Sequence, residues 1–124
     1  MILVDTSVWI DHLRSTEPSL VEALRAEQVL MHPFVVGELS CGNLKNRQEV
    51  ISLLRNLPSA PVATHEQVLE AIDRHRLMGI GIGYVDAHLL TATMPASPAR
   101  IWTRDKRLAT VAERLDLKLQ PETH

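Results

Sequence analysis

Short apolar runs that alternate with helical segments constrain this chain more than any other feature. Residues 2–4, 29–31, 100–103 and 117–119 are brief, bulky and apolar enough to read as strands, and residues 62–63 read as one more. Between them, residues 8–13, a segment opening at Thr16 and Pro18, residues 34–43, 47–56, 64–78, 84–94 and 106–115 show helical spacing or helix-start residues. Thr64 with Gln67 three residues later has the form of a capping box. Strands apolar on both faces must be covered on both, and strands joined through helices pair in parallel. The pattern therefore predicts an α/β fold, a three-layer sandwich whose mostly parallel central sheet is flanked by helices.

The chain has 124 residues, 45% of them hydrophobic, which suits one domain spanning 1–124 with a single core. Its 13 Lys and Arg face 15 Asp and Glu, a formal charge of −2 that excludes a polybasic nucleic-acid binder held by bulk charge alone. The few aromatics, Trp9, Phe34, Tyr84 and Trp102, are too scattered to form a base-stacking platform. Cys41 has no cysteine partner, so neither a disulfide nor a cysteine-rich zinc site is available, and it reads as a small buried hydrophobe in a reducing compartment. No uncharged apolar stretch reaches the roughly 18 residues of a membrane span, and the opening Met-Ile-Leu-Val-Asp lacks a basic leader. A soluble cytoplasmic protein without a membrane partner is expected.

Four acids stand in unusual places. Asp5 directly follows the first strand, and Asp105 lies between the strand at 100–103 and the next helix; both positions also suit a helix N-cap. Glu38 and Asp86 fall on or beside helix faces that should pack inward, where an unpaired carboxylate is rare. In a parallel sheet covered by helices, ligands bind beyond the carboxyl ends of the strands, where these four acids can converge. Clustered carboxylates either take up protons or gather cations. An all-oxygen donor set selects hard ions such as Mg²⁺ or Mn²⁺.

Asp5-Thr6-Ser7, then Glu38, then Tyr84-Val85-Asp86-Ala87, then Trp102-Thr103-Arg104-Asp105 occur in this order over residues 2–119. The ordered set resembles PIN-domain nucleases, and among them the VapC-type ribonuclease toxins of bacterial toxin–antitoxin pairs. The resemblance implies a metal-dependent endoribonuclease whose catalytic and metal-binding acids are Asp5, Glu38, Asp86 and Asp105, with Ser7 and Thr103 in support. It implies Mg²⁺ or Mn²⁺ as cofactor and products with a 5′-phosphate and a 3′-hydroxyl. It also implies three partners: an RNA substrate, a small antitoxin and a second copy of the chain in a homodimer.

Arg104, Lys106 and Arg107 flank Asp105 and suit RNA phosphates, although a solvated helix start would also explain them. His88, two residues beyond Asp86, points elsewhere on its helix and reads as structural or surface. Gly79, Gly81 and Gly83 follow a helix rather than a strand, so they form a hinge ahead of Asp86 and not a dinucleotide loop. The histidines make no zinc motif, and no serine-hydrolase elbow is present. Two other readings stay open at this point: a phosphoacceptor signalling domain with an acidic metal pocket, and a non-catalytic protein-binding module.

Overall fold

The computed structural model describes residues 1–96 and 98–119. The chain runs β1 (Ile2–Val4), α1 (Thr6–Arg14), α2 (Pro18–Arg25), β2 (Val29–Leu30), α3 (Pro33–Ser40) and α4 (Arg47–Arg55). It continues through α5 (His65–His75), α6 (Tyr84–Thr93), a 3₁₀ turn (Met94–Ala96), β3 (Arg100–Trp102) and α7 (Lys106–Arg114). The strands form a parallel sheet in the order β2-β1-β3, with Leu3 opposite Leu30 on one side and Ile101 on the other. Leu3 and Val4 point to opposite faces and are both fully buried, so β1 is covered on both sides, as the α/β sandwich requires.

The local chemistry explains where the helices begin. Pro18 and Pro33 occupy first-turn positions in α2 and α3, where a missing N–H is harmless. Glu17 caps α2 through the amide of Ser19, and His32 caps α3 by accepting at Nδ1 from the amide of Phe34 at 3.0 Å. The capping box of α5 forms as expected, with Thr64 and Gln67 each accepting the other's backbone amide.

Three expected elements differ. Residues 62–63 form no strand and Val62 is exposed; the sheet is continued instead by a single parallel bridge between Met31 and Ser59. The outermost segment, 117–119, likewise contributes one bridge, Lys118 to Ile101, rather than a full strand. The fifth helix stops at His75 because Arg76 takes a left-handed conformation, φ 54°, and Leu77 turns into the core. No helix among the described residues is long and apolar enough to cross a membrane.

Candidate active site

The chain leaves β1 for β2 on one side and later returns to place β3 on the other, so the sheet's switch point lies at β1. Ligand crevices of parallel sheets open beyond the carboxyl ends of the strands at such a point. Asp5 sits there, immediately after β1 and in the N-cap position of α1, yet its side chain makes no capping bond. Its Oδ2 instead accepts from Ser7 Oγ at 2.8 Å and from Thr103 Oγ1 at 2.7 Å. Asp5 is only 7% exposed. The capping explanation for this acid therefore fails, and the carboxylate is turned toward the loop that follows β3.

That loop is stitched to Asp5 by the same two hydroxyls. Ser7 Oγ accepts from the amide of Arg104 at 3.0 Å, and Thr103 Oγ1 from the amide of Asp105 at 3.0 Å. Asp105 is a true cap: its Oδ1 accepts from the amides of Arg107 and Leu108 at the start of α7. Glu38, exposed on α3, accepts at Oε1 from Thr6 Oγ1 at 2.8 Å, which ties α3 to the first residue of α1. Asp86, in the first turn of α6, accepts at Oδ2 from the amide of Gly83 at 3.2 Å.

Asp86 is where the four acids meet electrostatically. Burial raises its pKa above the usual carboxylate value, the Gly83 amide pulls it down, and the charges of Asp5, Asp105 and Glu38 raise it further. Each of the four holds one oxygen in a hydrogen bond, while Asp5 Oδ1, Glu38 Oε2, Asp86 Oδ1 and Asp105 Oδ2 accept none from the described residues. Four anchored carboxylates with four open oxygens and mutual repulsion suit a hard cation. No three of them, among the described residues, stand close enough to enclose a bare ion.

Comparison with known proteins assigns the family. Residues 2–114 match the family described as PIN domain. The chain belongs to the PIN-domain family, VapC type. Two proteins named Ribonuclease VapC32, from two strains of Mycobacterium tuberculosis, are each 48% identical to it over 122 residues, spanning 98% of both chains.

Within this PIN domain the basic residues separate. The guanidinium of Arg104, expected at RNA phosphates, is taken up by Asp11 of α1 and by Glu17 at 2.6 Å, so it ties the β3–α7 loop to the first two helices. Neither partner was marked by the sequence, because a pair separated by nearly the whole chain leaves no local pattern. Lys106 and Arg107 make no ion pair among the described residues. Thr6, part of the Asp5-Thr6-Ser7 motif but with no role evident from sequence, holds Glu38.

His88 is buried rather than at the surface, in edge-on contact with Phe34 at 4.5 Å and Tyr84 at 4.7 Å between ring centres. Cys41, expected inside, is exposed because α3 ends one residue before it. Trp9 is in the core, and Trp102 packs against it partly buried.

Proposed function

We propose that this chain is a metal-dependent endoribonuclease acting as the toxin of a toxin–antitoxin pair. The observation that carries the reading is Asp86, half-buried and raised in pKa amid three other carboxylates that each leave one oxygen open. Two relatives that carry the name ribonuclease, at 48% identity across nearly the whole chain, support it.

Asp5, Glu38, Asp86 and Asp105 are the proposed catalytic acids and would hold the cation. When bound, a divalent ion such as Mg²⁺ or Mn²⁺ activates water for attack on phosphorus and neutralises the charge on the leaving 3′ oxygen. Ser7 and Thr103 fix one oxygen of Asp5 and thereby aim the other at the site. Lys106 and Arg107, free of ion pairs among the described residues, receive RNA phosphates beside Asp105. A small antitoxin that covers the acidic crevice, a homodimeric state and action in the cytoplasm complete the proposal.

The test is cleavage of total RNA in Mg²⁺ followed by mapping of the new ends. Discrete cuts leaving 5′-phosphates are expected; intact RNA at enzyme excess would overturn the nuclease reading, and a stable acyl phosphate formed in its place would favour a phosphoacceptor.

A further inference from the structure

Along α7, which Asp105 caps, the helix and the glycine loop before α6 flank an open surface hollow of about 290 Å³ lined by Ile80, Lys106, Arg107, Thr110, Val111 and Arg114. Residues 107, 110, 111 and 114 recur at helical spacing along α7, where Val111, buried with Leu108 and Ala112, forms the inner edge of the exposed face. No carboxylate lines the cavity. Its three cations are not equivalent. Arg114 donates to the carbonyl oxygen of His75 at 2.6 Å and so closes the end of α5, whereas Lys106 and Arg107 pair with no acid among the described residues.

The loop is shaped to Arg107. Gly81 has φ 86°, a left-handed conformation, and a Cβ built there would stand 2.7 Å from Arg107 Cδ and 3.0 Å from its Nε. Any side chain at 81 would meet both backbone strain and the arginine stem. The guanidinium thus lies across bare backbone, at the edge of a cavity whose lining residues Lys106 and Arg107 directly follow Asp105, and the Arg107 amide donates to Asp105 Oδ1 at 2.9 Å.

We infer that this cavity is a subsite for one nucleotide of single-stranded RNA flanking the cleaved bond. Lys106 and Arg107 take its phosphate, Ile80 with Val111 forms an apolar floor, and Thr110, whose Oγ1 donates to the carbonyl oxygen of Lys106 at 2.9 Å, forms the wall between them. The volume falls just below the range for ligand pockets, about 300–1,000 Å³, and so leaves room for a single unit rather than a duplex. The inference rests on the RNA-cleaving reading, extends it to Ile80, Gly81, Thr110 and Val111, and is tested by binding as well as by turnover.

The experiment measures affinity for a short fluorescent single-stranded RNA of mixed sequence, in chelator, by anisotropy across a salt series. Cleavage of the same RNA is then followed in Mg²⁺. Lys106→Ala, Arg107→Ala and Thr110→Glu are compared with Arg25→Ala, an exposed cation on α2. Each subsite variant is expected to weaken binding about tenfold. Lys106→Ala and Arg107→Ala should also reduce the slope of log affinity against log salt by about 0.7, the value for one phosphate contact on a single strand. In cleavage, KM rises while kcat stays within about twofold, as for lost uniform binding. Variants indistinguishable from Arg25→Ala in affinity and slope overturn the subsite even where the wild type cleaves RNA. Weakened binding without any cleavage by the wild type upholds the subsite and overturns the nuclease reading.

Discussion

Asp86 is held half-buried among like charges by the fold itself, so in the absence of a cation it opposes folding. Asp86→Asn removes the charge and keeps an oxygen for the Gly83 amide. The metal-free variant is expected to be more stable than the wild type by about 1 kcal/mol, seen as a rise of about 4 °C in Tm in chelator, while RNA cleavage is lost. A Tm that falls in chelator would mean that Asp86 is an ordinary helix-start carboxylate. His32 carries a second titration. Burial, with the charge of His88 beside it, lowers its pKa from 6.5 to about 4. Its folded value lies below the unfolded one, so the unfolded chain binds the extra proton. Stability from this group is therefore complete above about pH 6.5 and drains as pH falls toward 4. Urea midpoints should drop between pH 7 and pH 5 by more in the wild type than in His32→Asn, which keeps a capping oxygen for Phe34; equal drops would remove His32 as the cause. The four acids were legible as an ordered set rather than singly, since a helix cap also fitted Asp5 and Asp105, and Glu38 proves exposed rather than turned inward. Arg104 was not legible, since the two acids that take it lie far away in sequence and only the fold brings them together.

Asp105 serves two elements at once, capping α7 and facing the acid cluster. The two roles separate by substitution. Asp105→Asn keeps an acceptor for the amides of Arg107 and Leu108, so stability should change little while cleavage falls. Asp105→Ala should lose cleavage and about 1 kcal/mol of stability besides, measured by denaturant unfolding. Equal stability of the two variants would show that the cap contributes nothing. Helix starts were readable because Pro18, Pro33 and the Thr64–Gln67 pair act locally. Strand limits were less so. The register at Met31 is completed by Ser59, a polar residue with no strand propensity, while the β-branched Val62 is left exposed. The edge of the sheet was decided by which backbone reaches Met31, and side-chain character does not report that. The left-handed Arg76 that ends α5 was equally silent, since arginine has no preference for that conformation.

Across the molecule, the formal charge of −2, which excludes only a binder held by bulk positive charge, is accounted for by the four acids of the candidate site. Setting aside Asp5, Glu38, Asp86 and Asp105 moves the formal balance from −2 to the basic side, with Lys106 and Arg107 beside the crevice. The fold class followed from strand brevity and helix alternation, whereas the convergence of the acids needed the topology that puts β1 between β2 and β3. A cation bound at the crevice is a ligand of the folded state alone, so Mg²⁺ at a hundredfold over its dissociation constant should stabilise the protein by about 2.7 kcal/mol. An unchanged Tm over a wide Mg²⁺ range would argue against a site. The most direct measurement is the rate of RNA cleavage by the wild type in Mg²⁺, by the wild type in excess chelator, and by Asp5→Asn in Mg²⁺. Cleavage in the first alone is predicted; equal cleavage in all three would contradict a metal-dependent nuclease built on these four carboxylates.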